Sequence, residues 1–196
     1  MKSNADIQIV AALEKLMQVQ RILLWDVSKK EGLSPIQIQF LIYVGRYPEE
    51  LCRVSSLAVE FDLTKATVSD AVSTLEDKGL LSKLREKEDK RSYVLRLTPK
   101  GKKLAERING WQSALLRSIS RFDAREKEPV MIFLMELIKS LFDDGVITVA
   151  RMCIACENLK RRDGEGQPFQ CRLTSRSIDA AGLTMGCEFY KSSRPE

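Results

Sequence analysis

Two short amphipathic segments joined by a tight turn, in the middle of the chain, constrain its fold more than any other feature. Ser55 and Thr64 are predicted to cap the starts of two helices, and Gly79 is predicted to end the second. Strands are predicted at 81–86 and 92–97, with a charged loop between them. This order of elements predicts a winged helix-turn-helix, which presents one helix to a DNA major groove and a basic loop to the adjacent backbone.

Further helices are predicted over 5–30, 35–46, 99–121 and 123–144, each with apolar residues at helical spacing. Two of them carry capping signatures at their starts, namely Ser34 with Gln37 and Asp123 with Glu126. Gly145 ends or kinks the last helix. The predicted fold class is therefore mainly α with a small β-hairpin wing, an α+β winged helix on a helical dimerisation region.

The character of the chain changes after this helical region. Residues 157–168 are polar, contain glycine and proline, and lack helical apolar periodicity, so they are predicted to form a loop. We expect one domain over residues 1–146, with its DNA-reading core at about 53–98. A second, small C-terminal module is expected over 147–196.

The central segment resembles the MarR family of bacterial transcriptional regulators. The resemblance covers roughly residues 5–145 and is carried by TVSDAVSTLEDKGLL at 67–81, DKR at 89–91 and LTPKG at 97–101. In that family, these are a recognition helix, a wing and the start of the next helix. Asp62 stands in the turn where a glycine is common, and aspartate tolerates the left-handed conformation better than most residues.

Candidate DNA contacts follow from the two elements that face DNA in such a fold. Short or flexible polar side chains let a helix approach base edges and phosphates, and a basic wing suits a narrow minor groove. Asp89 is predicted to orient Arg91 or Arg85 by a charge-assisted hydrogen bond. The candidate contacts are Ser55, Thr64, Lys65, Thr67, Ser69, Ser73, Arg85, Lys87, Lys90 and Arg91.

Charge and composition narrow the classes of function. The net charge is +5 and the pI about 9.0, and 12 Lys and Arg stand against 8 Asp and Glu between Arg53 and Lys103. This basic bias fits a nucleic acid partner. The chain contains no histidine and no glycine-rich phosphate loop after a strand, so an enzyme is not expected. A winged helix that binds protein instead of DNA is the alternative.

No apolar run approaches the length of a membrane span, and the N-terminus lacks the apolar segment of a signal peptide. A cytoplasmic protein without a membrane partner is therefore expected. The long helices carry apolar stripes, and the MarR resemblance implies a homodimer that reads a pseudo-palindromic operator. The resemblance also implies a small-molecule effector in a cleft, which Trp25, Tyr43 and Trp111 could line if they are not plain core residues.

Four cysteines near the C-terminus form a candidate metal site. Cys153 and Cys156 have the spacing of a pair that binds one metal from a tight turn, and Cys171 and Cys187 would complete a tetrahedron. Thiolates select zinc or an iron–sulfur cluster, and a module of this size buries little core of its own. We expect zinc, with an iron–sulfur cluster as the alternative, and a redox thiol switch or unliganded cysteines remain open.

The fifth cysteine, Cys52, lies apart from this group, on the approach to the helix-turn-helix. It is expected to be a small, partly buried apolar residue, with a lone redox sensor as the alternative.

Overall fold

The computed structural model describes residues 3–85, 93–161 and 169–193. The chain divides into two compact units. The winged-helix unit consists of residues 1–57 and 64–117. The C-terminal unit consists of residues 118–196 together with the short segment 58–63. Within the described residues, none of the helices combines the length and the apolar composition needed to cross a bilayer.

The winged-helix unit is built from helices and one antiparallel hairpin. Most helix starts are capped as predicted: Ser34 and Gln37 form a capping box, and the Thr64 hydroxyl accepts a hydrogen bond from the backbone N–H of Thr67. The strands pair antiparallel, with Leu81 opposite Leu97 and Arg85 opposite Tyr93. In chain order, the elements are α1 (Asn4–Glu31), α2 (Pro35–Arg46), a 3-10 helix (Glu49–Leu51), α3 (Val54–Glu60), α4 (Lys65–Asp77), β1 (Leu81–Arg85), β2 (Tyr93–Leu97), α5 (Pro99–Ile108) and α6 (Ser113–Ile119).

Buried apolar side chains join α2, α4 and the hairpin. Burying a large aliphatic or aromatic side chain stabilises a fold by about 1.5–3 kcal/mol. α4 contributes every third or fourth residue to the core, so its opposite side is left exposed. The largest fully buried side chains of this unit are Ile38, Phe40, Leu41, Leu57, Val68, Val72, Leu75, Leu81 and Leu95.

The junction between the hairpin and α5 explains the LTPKG signature. Thr98 caps α5 by accepting from the N–H of Gly101 at 3.0 Å, and its hydroxyl donates to the carbonyl of Gly79 at 2.7 Å. A β-carbon on Gly101 would lie 2.0 Å from the carbonyl oxygen of Leu80. Only glycine lets α5 approach the end of the recognition helix this closely.

Two predicted helix features are wrong. The single helix expected over 99–121 is two helices, α5 and α6, separated by turns at Asn109 and Gly110. A Gly next to Asn favours local turns over a continued helix, and tertiary packing decides between them. Ser55 is not an N-cap, because α3 begins at Val54 and places Ser55 in its first turn.

The C-terminal unit centres on α7 (Ala124–Asp143), whose start carries the predicted capping box of Asp123 and Glu126. It is larger than the expected 147–196 module because α7 packs into the same core as the residues that follow it. That core consists of Met135, Phe142, Ala150, Met152, Ile154, Ala155, Phe169 and Leu183.

The remaining elements of the C-terminal unit are short. A 3-10 helix (Cys153–Ala155) is followed by a three-stranded antiparallel sheet, ordered β3–β4–β5, and by another 3-10 helix (Ala180–Gly182). β3 begins inside the segment for which the sequence predicts a loop, while residues 162–168 lie outside the described residues. The three strands are β3 (Leu159–Arg161), β4 (Phe169–Cys171) and β5 (Ser177–Ile178).

Candidate nucleic-acid interface and thiol cluster

The exposed side of α4 carries the candidate base-reading residues. Thr64, Lys65 and Thr67 are exposed at its N-terminal end, whereas Val68 and Val72 on the opposite side are buried. The hydroxyls of Thr64 and Thr67 lie 2.9 Å apart, so the cap orients both. A helix start with free N–H groups and short polar side chains can meet a phosphate and an adjacent base edge together.

The predicted serines differ from these threonines in their surroundings. Ser69 is half-buried on α4, and Ser55 is exposed in the first turn of α3. Ser73 accepts a hydrogen bond at 3.4 Å from Lys83 on β1, which also pairs with Glu76 at 2.9 Å. Ser73 therefore joins the recognition helix to the wing in this structure.

Asp70 is an exposed α4 residue that the sequence reading missed. It lies three residues after Thr67, one turn further along the exposed side, and its backbone carbonyl accepts from the hydroxyl of Thr74. A carboxylate repels phosphate but accepts a hydrogen bond from the amino group of cytosine. The signal that could have found it is helical spacing, since residues three apart share a helix face.

The described part of the wing orients one arginine. Arg85 ends β1 and donates from Nε to the Tyr93 hydroxyl at 3.2 Å, with its guanidinium carbon 5.8 Å from the centre of that ring. Tyr93, which the sequence reading did not single out, thus holds Arg85 across the hairpin. The remaining predicted wing residues lie outside the described residues: Lys87, Asp89, Lys90 and Arg91.

The turn between α3 and α4 takes the conformation that the sequence predicted. Asp62 has φ of 50°, in the left-handed region. The N–H of Leu63 donates to the carbonyl of Ala58 at 2.9 Å, which closes the end of α3. Aspartate replaces glycine here because its short polar side chain reduces the cost of this conformation.

The three aromatic residues predicted to line a ligand cleft differ in their surroundings. Trp25 is half exposed, whereas Tyr43 is buried and its ring lies 4.4 Å from that of Tyr47. The winged-helix unit does hold an open cavity of about 840 Å³, to which neither Trp25, Tyr43 nor Trp111 contributes. Its lining includes Tyr47, Glu49, Cys52, Arg96, Lys102 and Asn109.

Cys52 is buried, with 1% of its surface exposed, and its thiol points at the carbonyl of Tyr47 at 3.5 Å. Burial raises the pKa of this thiol to about 11, and Glu49 and Glu50 add to the shift. A buried, protonated thiol is a poor nucleophile, so Cys52 fits the expected apolar role rather than a redox sensor.

The four C-terminal cysteines are free thiols in one unit, and all are partly buried. The backbone around Cys153 and Cys156 runs antiparallel to the segment that contains Cys187, through bridges of Met152 with Met185 and Cys156 with Ser192. Cys171 ends β4, opposite Leu159. Long-range pairing thus gathers cysteines that are up to 34 positions apart by their numbers, 153 and 187, into neighbouring segments.

Two of the four thiols, those of Cys153 and Cys171, accept hydrogen bonds that affect their pKa. The N–H of Thr184 donates to the sulfur of Cys153 at 3.3 Å, although burial still raises the pKa of that thiol. The Thr174 hydroxyl and the N–H groups of Leu173 and Thr174 lower the pKa of Cys171. Such bonds stabilise thiolates, the form that binds metal.

Four cysteines are the right type of ligand for a thiolate metal site, but the structure does not arrange their side chains as one. In the described part of the chain, no group of three or more His, Cys, Asp or Glu side chains is arranged as metal ligands. Cys153, Cys156 and Cys171 each accept a hydrogen bond, and thiolates as a class select zinc or iron.

The core, hairpin and exposed helix define a winged helix-turn-helix. Residues 31–92 match the MarR family. Over 116 residues the chain is 29% identical to the HTH-type transcriptional regulator BilQ of Clostridium symbiosum (strain WAL-14163), covering 57% of this chain and 77% of that protein. The segment 31–92 is accordingly similar to the winged helix of the MarR family.

Solved structures show the same fold. The S. aureus MepR–DNA complex superposes with a TM-score of 0.60 at 18% identity, covering 72% of this chain and 100% of that one. A MarR transcriptional regulator from Methanosarcina mazei Go1 has a TM-score of 0.55 at 26% identity, covering 70% and 96%. MarR family proteins are transcriptional regulators rather than enzymes. This similarity confirms the prediction from the sequence that an enzyme is not expected.

Proposed function

We propose that this protein is a homodimeric, sequence-specific DNA-binding transcriptional regulator that acts as a repressor. The observation that carries the proposal is the division of α4 into a buried apolar side and an exposed polar side that begins at the capped Thr64. A helix of this kind beside a hairpin with a charged loop that includes Lys87, Lys90 and Arg91 fits a major groove and its flanking phosphates. MepR, which shares the fold, was solved with DNA.

Exposed apolar side chains support a second copy of the chain as a partner. On α1, Ile7, Val10 and Met17 are each more than half exposed, although helices of a monomer normally bury their apolar residues. On α7, Val130 and Phe133 are also exposed. We propose that these surfaces meet their equivalents in a two-fold dimer, whose two wings read a pseudo-palindromic operator.

The C-terminal unit is proposed to bind zinc through Cys153, Cys156, Cys171 and Cys187. Zinc would staple a unit whose strands are only two or three residues long. An iron–sulfur cluster on the same thiolates is the alternative, and it would make the unit a redox sensor. A small-molecule effector of the regulator would find room in the cavity beside Tyr47 and Arg96.

The DNA proposal is tested by selecting binding sites from a random duplex library with the purified full-length protein. Arg91→Ala should then weaken binding to the selected site by about 1–3 kcal/mol and reduce the slope of log affinity against log salt by about 1. Fluorescence anisotropy over a series of salt concentrations measures both quantities.

Arg125→Ala is the matched control, because Arg125 is an exposed arginine of α7, outside the winged helix. It should leave affinity and slope unchanged. Wild-type affinity in Arg91→Ala would remove Arg91 from the interface. Failure of the library to yield any preferred site would instead favour a winged helix that binds protein.

A further inference from the structure

Asp70 lies in the middle of the exposed side of α4, opposite the residues that α4 contributes to the core. It is two positions from Val68 and two from Val72, which places it about 200° round the helix from each of them. Both valines are fully buried, whereas Asp70 is exposed. A carboxylate therefore stands at the centre of the side of α4 that faces away from the core.

The position of Asp70 along α4 also suits contact with a base. Recognition helices reach base edges with residues near their N-terminal ends, and α4 begins at Lys65 after the Thr64 cap. Asp70 follows Ala66 by four positions and Thr67 by three, so the three side chains are neighbours on one side of the helix. Because Ala66 is small and exposed, it leaves room for a base edge to approach the Asp70 carboxylate.

The described part of the chain provides no partner for this carboxylate. Only the backbone carbonyl of Asp70 is engaged, by the Thr74 hydroxyl at 3.0 Å. Glu76, the next acidic residue of α4, differs because it pairs with Lys83 at 2.9 Å. An unpaired carboxylate on the DNA-facing side repels phosphates, so it lowers affinity for duplexes of any sequence unless it meets a hydrogen-bond donor.

The donors of a major groove identify the base. A carboxylate only accepts hydrogen bonds, and the edges of guanine and thymine present acceptors that would repel it. Adenine offers its N6 amino group beside the N7 acceptor, whereas cytosine offers its N4 amino group alone. We infer that Asp70 is a specificity-determining residue that accepts a hydrogen bond from the N4 amino group of one cytosine in the operator. The inference rests on the proposed binding of DNA and names one base of the site.

The experiment selects binding sites from a random duplex library with full-length wild type, Asp70→Asn and Asp70→Ala. Wild type should require cytosine at one position of the selected site. An asparagine amide both donates and accepts, which matches N7 and N6 of adenine, so Asp70→Asn should change the preferred base at that position to adenine. Asp70→Ala should select no particular base there. All three proteins should agree at the other positions of the site.

Affinities for four duplexes that differ only at this base pair measure the size of the contact. We expect replacement of the cytosine pair to lower the affinity of wild type about 10-fold, within the range usual for one mismatched pair. The four affinities of Asp70→Ala should agree within about 2-fold, since alanine cannot accept from the amino group. Removal of the carboxylate should also raise the affinity for duplexes of unrelated sequence, because it removes repulsion of phosphates.

Asp77→Asn is the matched control, because Asp77 is an exposed aspartate on the same side of α4, at its C-terminal end. This variant loses the same charge and should keep the base preferences of wild type. Circular dichroism establishes that each variant is folded. The inference is overturned if Asp70→Ala keeps the cytosine preference, if wild type prefers another base where the Asp70 variants differ from it, or if Asp77→Asn changes the same position. Failure of wild type to select any site overturns the proposed function instead.

Discussion

The winged-helix unit and the C-terminal unit are stabilised by different kinds of structure. The first has helices of up to 28 residues with side-chain caps and a hairpin of two five-residue strands. The second combines one 20-residue helix with strands of two or three residues and a core of eight buried residues. Strands this short are not stable alone. The stability of the second unit therefore depends more on long-range contacts than that of the first.

Because the two units are stabilised differently, we expect mutations to destabilise them in different ways. In the winged-helix unit, a single close backbone approach at Gly101 determines how α5 meets the end of α4. In the C-terminal unit, the segments around Cys153 and Cys187 are joined by a few backbone hydrogen bonds. We therefore expect added side-chain volume to destabilise the first unit. We expect the second unit to be destabilised by loss of an interaction that joins its segments.

The largest effect is expected from Cys153→Ser. Loss of one ligand should abolish binding of about one zinc per chain and remove binding free energy on the order of 10 kcal/mol from the C-terminal unit. Hydrogen exchange should show lost protection around residues 150–156 and 184–190, while α2 and α4 stay protected. Cys52→Ala, which removes a distant buried thiol, is the control and should keep its zinc. Full zinc content in Cys153→Ser would refute the metal site.

Gly101→Ala should have the next largest effect. The added β-carbon would meet the backbone oxygen of Leu80 at 2.0 Å, and backbone cannot turn aside as a flexible side chain can. We expect a loss of about 3 kcal/mol or more, measured by urea unfolding. Gly110→Ala is the control, because nothing lies within 4 Å of its added carbon. Equal stability of the two variants would contradict the close approach of α5.

Cys52 should produce a smaller, pH-dependent effect in the winged-helix unit. Its pKa is raised from 9.0 to about 11 in the folded protein, so the folded state holds the thiol proton more tightly than the unfolded state. The resulting stability is fully present below pH 9 and is lost as the pH rises through 11. It amounts to at most about 3 kcal/mol. The difference in unfolding free energy between wild type and Cys52→Ala should therefore narrow between pH 8 and pH 11. A difference that stays constant over this range would contradict the raised pKa of Cys52.

Local signals made the winged-helix unit predictable. The capping pairs, the left-handed Asp62 and the apolar spacing on α4 each act within a few residues, so the sequence identifies them directly. The break after Asn109 was missed, because a Gly inside a helical pattern is compatible with both a continuous and a broken helix. The contact of Arg85 with Tyr93 was missed because it depends on the register of the hairpin.

Some features of the candidate DNA-contacting residues can likewise be predicted from the sequence, whereas others require the structure. Exposure of Thr64, Lys65 and Thr67 follows from the helical period once Val68 and Val72 are assigned to the core. The bond between Ser73 and Lys83 and the exposure of Asp70 require the packed structure, since they depend on which elements lie beside α4.

The sequence by itself determined the winged helix, its caps and glycines, and the presence of four thiols, because these depend on residue type and short spacing. Only the tertiary structure decided that residues 58–63 group with the C-terminal unit and that Arg151 pairs with Glu60. Those two residues are 91 positions apart. No local propensity brings such residues together, and their meeting is decided by how the buried core around Met152 and Phe142 packs.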